Sequence, residues 1–218
     1  MADRFVVLAD TYYHPAPPKD VSPPKLLTRG PEILAATVST VNALSPEFII
    51  HVGDLLCGGG SFELSRNQYD RSLSDVTGAF DGFTAPLHCV PSNHDCDARH
   101  HRFDEFARAF DTPEVFDVID DALRAADAQA EADGVVLFLI LHSWIHPVVG
   151  ADPTSGIITK AKRLQATMAA CSTVVATFSG HCHANRVRLF RDYCASTRPA
   201  SSVTPWASAR SPSPTTTG

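Results

Sequence analysis

The chain reads as an α/β protein. Short apolar runs alternate with segments of helical period, and nearly every apolar run stops at a Gly, Asp, Asn or His cluster. The carboxyl ends of strands in such a fold converge on one crevice, so the position of these clusters carries as much meaning as their composition. In 218 residues there is material for one domain with a substantial core.

Phe5 to Ala9 is the first buried strand, closed by Asp10. A proline-rich loop from Pro15 to Pro24 follows and belongs on the surface, either as a rim of the crevice or as a plain connector. Pro31 opens a helix carried by Ile33, Leu34, Val38 and Val41. Phe48 to Val52 is the second strand, closed by Gly53-Asp54. Residues 61–80 read as a helix capped by Ser61. Leu87 to Val90 is the third strand, closed by Ser92-Asn93-His94-Asp95. Helices are predicted over 102–110 and 114–132, the second with Val115, Ile119, Leu123 and Ala126 on one face. Val135 to Leu141 is uninterrupted apolar sequence before His142 and reads as a central strand. A helix over 158–171 leads to a strand from Thr173 to Phe178, closed by Gly180-His181-Cys182-His183. Arg186 to Tyr193 alternates and reads as one more strand.

From Ala195 onward Ser, Thr, Pro and Ala dominate without an apolar period. Such a stretch buries too little to offset its ordering entropy. The expected organisation is therefore a domain over 1–194 and a flexible tail over 195–218.

The hydrophobic fraction of 44% and charged fraction of 19% are those of an ordinary globular protein. A formal charge of −6 argues against a broad nucleic-acid face. A small anionic substrate remains compatible, because bound cations invert the local sign. The six cysteines form no Cys-x-x-Cys pair, and Cys89, Cys171 and Cys182 lie in or beside apolar runs, as reduced thiols do. The first apolar run is too short for a secretory signal, and no stretch has the length of a membrane span. The expectation is a cytoplasmic protein with no membrane partner. The sequence does not set its oligomeric state.

Asp10, Gly53-Asp54, Asn93-His94-Asp95, His142 and Gly180-His181-Cys182-His183 gather carboxylate, amide and imidazole groups suited to hard or borderline metal ions. Their order resembles the calcineurin-like metallophosphoesterases, whose pattern is Asp-x-His, Gly-Asp, Gly-Asn-His-Asp/Glu, His, Gly-His-x-His. The resemblance spans roughly residues 5–190. It departs at two positions: Tyr12 stands in place of the first histidine, and Ser92 in place of a glycine.

The resemblance implies a four-layer fold, two packed β-sheets flanked by helices. It leaves open whether the second sheet is complete at the C-terminus. It implies two metal ions, manganese, iron or zinc, held by Asp10, Asp54, Asn93, His142, His181 and His183, with Asp54 as the bridge. It implies that His94 is the acid for the leaving oxygen and that Asp95 orients it. His181 and His183 share a face in extended chain, with Cys182 turned away.

Tyr12 could ligate as phenolate, His14 could swing in, or the first ion could bind with fewer ligands. His146 is a weaker alternative to His142. Arg99, His100 and His101 either meet substrate phosphate or form a solvated loop.

The implied activity is hydrolysis of a phosphomonoester or phosphodiester by a metal-bridging hydroxide, on a small phosphorylated substrate. The alternative is a catalytically weakened scaffold of the same fold that binds proteins.

Overall fold

In the first strand, β1 (Arg4–Ala9), alternate residues serve two different cores. Phe5, Val7 and Ala9 pack with Ile50, Val52, Ala176 and Phe178, while Val6 and Leu8 pack with Ile49 and Val41. A strand buried on both faces must be apolar throughout, which is how this run reads. The computed structural model describes residues 4–17, 19–20, 25–58, 64–96, 103–112, 119–146, 156–181, 183, 186–189, 194–197 and 202–207.

After β1 come helix α1 (Gly30–Leu44), strand β2 (Phe48–His51), helix α2 (Arg66–Phe80) and strand β3 (Leu87–Cys89). Helices α3 (Asp104–Phe110) and α4 (Ile119–Asp133) precede strand β4 (Leu137–Ile140). Helix α5 (Ala161–Ala170) leads to strands β5 (Val174–Ser179), β6 (Arg186–Leu189), β7 (Cys194–Thr197) and β8 (Ser202–Ala207).

Two four-stranded sheets result, in orders β3-β2-β1-β8 and β4-β5-β7-β6. Each has three parallel strands and one antiparallel edge, β8 beside β1 and β6 beside β7. Residues of both sheets share the core around Phe5 and Phe178, whose rings meet edge-on at 5.8 Å. Val41 of α1 covers the outer face of the first sheet, and Leu123, Leu164 and Met168 of α4 and α5 pack with Val174 of the second. The layers are helix, sheet, sheet, helix, as the resemblance implied.

Three elements differ from the sequence reading. Strand β4 lies at a sheet edge among the described residues, not at the centre. Its apolar run is accounted for differently: Ile140 faces the inter-sheet core, Leu137, Leu139 and Leu141 face the helices, and Val135 and Val136 stay exposed before the strand begins. The cap of α2 is Ser65, whose hydroxyl accepts from Gln68 N while the Gln68 side chain accepts from Ser65 N. Ser61, the expected cap, lies outside the described residues.

The third difference is in the segment expected to be a flexible tail. Ala195–Thr197 belongs to β7, and Ser202–Ala207 pairs along the whole of β1. Composition hid β8 because its partner is distant in sequence. Pro205 is tolerated there because β8 is an edge strand, where a missing N–H breaks no ladder on the outer side.

Candidate metal centre

The loops that follow the parallel strands continue the ladders and so bring the clusters together. Asp10 N donates to Gly53 O at 3.0 Å, Tyr12 N to Asp54 O at 3.0 Å and Tyr13 N to Leu55 O at 2.9 Å. In the other sheet Gly180 N donates to His142 O at 3.1 Å, and across the sheets His181 N donates to Asp10 Oδ1 at 3.0 Å. Asp10, Tyr12, Asp54, His181 and His183 all have positive φ, between 47° and 68°. The other described non-glycine residues in that region are Ser45 and Asp111, both helix C-caps. Left-handed backbone at five site residues is stored strain of the kind that turns side chains into a functional centre.

Gly53 shows how tight the junction is. Its φ is +94°, and a Cβ there would lie 2.7 Å from His142 Nδ1 and 2.8 Å from Ser92 Cβ. Gly58 lets the chain pass under the His94 and Cys96 carbonyls, where a Cβ would stand 2.6 Å and 2.4 Å away.

Two groups of ligand atoms form around Asp54. Those of Asp54, His142 and His181 lie within 4.8 Å of one another, as do those of Asp10, Asp54 and His183. Ligands of one ion with bonds near 2.1 Å are roughly 3–4 Å apart, so each group is a candidate to hold a single ion. The Asp54 oxygens divide between them. His142 Nε2 lies 3.3 Å from Oδ1, whereas Tyr12, bonded to Oδ2, lies 2.8 Å from His183 Nε2. His142 Nδ1 donates to Val52 O at 2.9 Å, which fixes the ring and leaves Nε2 to face the site. Asn93 is exposed and lines the same cavity as His142.

Both departures from the family pattern converge on Asp54. The Tyr12 hydroxyl donates to its Oδ2 and the Ser92 hydroxyl to its Oδ1. Burial, then the Asp54 charge, pushes the Tyr12 phenol far above its ordinary value, so without metal it is a donor. Against the cost of burial, His142 and Ser92 hold the Asp54 carboxyl well below the usual carboxylate range. Burial alone would lower His142, but Asp54 raises it to about 9. Burial raises Asp10 to about 7.

Asp95 does not orient His94. Its carboxylate accepts from Ser92 N and Asp54 N at 3.0 Å and from Leu55 N and Leu56 N at 2.9 Å. The residue adjacent in sequence is turned inward, where it braces the loop carrying Asp54. His94 is instead held by its Nδ1–H, which donates to Gly58 O at 3.2 Å. Its ring stands edge-on to Tyr12, centroids 5.3 Å apart.

His14 Nδ1 accepts from Ala16 N at 3.0 Å, and neither His14 nor His146 belongs to a ligand group among the described residues. Arg99, His100, His101 and Cys182 lie outside the described residues. Cys57, Cys89 and Cys171 are free thiols.

Two residues of the site had no role in the sequence reading. Lys25 Nζ lies 3.4 Å from the Tyr12 ring centroid, close enough to Asp54 and Asp10 for their charges to act on it. The only hint was the proline-rich loop placed directly after the first ligand. His51 Nε2 lies 2.8 Å from Thr11 Oγ1 and its Nδ1 accepts from Gly53 N at 3.3 Å, so a buried imidazole ties the two loops.

A family model described as calcineurin-like phosphoesterase matches residues 3–154. No curated protein sequence matches the chain. Among solved structures it is similar to a dimetal phosphatase from Danio rerio, with TM-score 0.72 and 12% identity over 92% of this chain and 88% of that one. It is also similar to the phosphopantetheinyl hydrolase of Mycobacterium tuberculosis, with TM-score 0.52 and 11% identity over 92% and 90%. A third is GAP50, the anchor in the inner membrane complex of Plasmodium, with TM-score 0.52 and 13% identity over 92% and 72%. At these identities the likeness is one of fold.

Proposed function

The chain belongs to the calcineurin-like phosphoesterase family, and on that footing we propose that it is a dinuclear metal-dependent hydrolase of small phosphate esters. The observation that supports two ions is the pair of three-residue ligand groups sharing Asp54. Asp10, Asp54 and His183 would hold one, and Asp54, His142 and His181 the other, with Asn93 beside His142. Manganese, iron or zinc suits these donors, and such ions supply a nucleophile at neutral pH and neutralise phosphoryl oxygens.

The remaining chemistry belongs to the chain. Water adds at phosphorus, the bond from phosphorus to the alcohol oxygen breaks, and that oxygen takes a proton. His94 is the residue for the proton, because Gly58 O holds its Nδ1–H and leaves Nε2 to face the substrate. Asp95 keeps the Asp54 loop in place through backbone N–H groups. Lys25 adds a fixed positive charge on the Tyr12 side.

A second reading, a scaffold with weakened catalysis, is favoured by one observation. The Tyr12 hydroxyl already bonds the carboxylate that an ion would use.

Metal content measured by mass spectrometry, alongside hydrolysis of nitrophenyl phosphate and bis-nitrophenyl phosphate, separates the readings. Two ions with turnover support the enzyme, and Asp54→Asn should then lose both ions while His142→Ala loses one. Two ions retained in Asp54→Asn would remove the bridge. A folded protein without metal or turnover would leave the scaffold.

A further inference from the structure

A cavity of about 530 Å³ opens beside the second ligand group, within the range of pockets that take small ligands. Asn93, His142, Ser92 and Ser143 supply its polar lining. Val90, Phe103, Leu139 and Ile158 line the rest, and among the described lining residues there is no Asp, Glu, Lys or Arg. The cavity runs along the edge of β4 that pairs with no other described strand, where residues of both β4 faces, Leu139 and Ile140, contribute.

We infer that this cavity receives the alcohol part of the substrate, and that the alcohol is uncharged and apolar, an alkyl chain or an aryl ring. The inference rests on the phosphoesterase reading above. Its polar lining includes Asn93 and His142, the residues placed at the second ion, so a phosphoryl group held there directs its ester oxygen toward the apolar walls. A nucleotide or sugar phosphate would bring several hydroxyl groups or further phosphates into a chamber whose described walls carry no charged side chain and, beyond Asn93 and His142, only the hydroxyls of Ser92 and Ser143. Buried polar groups without partners weaken binding, whereas each methylene removed from water strengthens it.

The test is a homologous series, methyl, butyl and hexyl phosphate, with the manganese-loaded protein. The leaving alcohols are nearly equal in acidity, so chain length changes burial and little else. kcat/KM should rise on the order of fourfold per methylene until the cavity fills. Methylphosphonate and hexylphosphonate, which are not hydrolysed, give the same comparison by calorimetry.

Phe103→Asp places a carboxylate on the cavity wall. Phe103 is the N-cap of α3, a position where Asp is a preferred residue, so the helix should persist. The ratio of hexyl to methyl binding should fall by at least about tenfold in this variant. Ile158→Asn should lower the same ratio from the opposite wall.

Turnover that ignores chain length, or that favours glycerol phosphate over hexyl phosphate, would overturn the apolar assignment and leave the phosphoesterase reading intact. Tighter binding of hexylphosphonate that depends on Phe103, in a protein that hydrolyses no phosphate ester, would uphold the cavity and overturn the catalytic reading.

Discussion

The Tyr12 hydroxyl donates to Asp54 Oδ2 while the Ser92 hydroxyl donates to Oδ1 of the same carboxylate. The two positions at which this chain departs from its family thus act on one residue. Tyr12 stands on the His183 side and Ser92 shares its oxygen with the His142 side. Each hydroxyl stabilises Asp54 without metal and would compete with an ion for one oxygen.

Tyr12→His should therefore tighten one of the two metal equivalents, and Ser92→Gly the other. A hydrogen bond to a charged group contributes about 1.5–3 kcal/mol, so each change should shift manganese affinity by roughly 10- to 100-fold. Calorimetric titration of the metal-free variants reads both steps separately. Equal affinities in both variants and in the unaltered protein would show that neither hydroxyl opposes metal binding.

His94→Asn should retain metal and lose roughly 10²–10⁴-fold in rate on esters of poorly acidic alcohols. The loss should shrink for a nitrophenolate leaving group, which departs without a proton. Parallel kinetics on hexyl phosphate and nitrophenyl phosphate check this. An equal loss on both substrates would take His94 out of the acid role.

Asp95→Ala should behave as a folding variant. It strips the acceptor from three buried backbone N–H groups, those of Ser92, Leu55 and Leu56, while that of Asp54 keeps Ser92 Oγ at 2.8 Å. An unsatisfied buried donor costs about 1–3 kcal/mol, so a loss of at least about 3 kcal/mol is expected by urea denaturation, with metal lost as well. A folded, metal-replete variant with a shifted pH profile would restore Asp95 to the role of orienting His94.

The contrast between Asp95 and the candidate ligands shows what the sequence carries. The gathering of Asp10, Asp54, His142, His181 and His183 was legible because their clusters close apolar runs, and parallel strands bring their carboxyl ends together whatever the details. For Asp95 the resemblance implied contact with His94, whereas its carboxylate bonds the backbone of the loop that carries Asp54. Lys25 was invisible because no periodicity says where a proline-rich loop returns. Strand β8 escaped because its stability comes from pairing with β1, nearly two hundred residues earlier, and not from its own composition.

Gly53→Ala should disable the site from the backbone outward. At φ +94° a side chain is strained, and the added Cβ would press on His142 and Ser92 at once. Strain of this kind costs about 1–3 kcal/mol before any clash is counted. The variant should fold less stably and lose the ion on the His142 side first. Thermal melting with metal analysis tests it, and two tightly held ions in a variant of unchanged stability would contradict the packing described.

Asp127 of α4 makes a pH-dependent prediction. Its carboxylate accepts from Thr173 N at 2.8 Å, Thr173 Oγ1 at 2.6 Å and Ser172 N at 3.2 Å, tying α4 to the start of β5. The Thr173 hydroxyl and N–H hold its carboxyl below the ordinary value. A group lowered in the folded state contributes stability that is present above its unfolded pKa and is lost as pH falls through the folded one. Asp127→Asn should therefore lower the melting temperature near neutral pH, with the difference from the unaltered protein narrowing as the carboxylate is protonated in acid. Melting curves of both proteins from pH 7 downward, in parallel buffers, provide the check. A constant difference across that range would mean that the clamp depends on shape and not on the charge of Asp127.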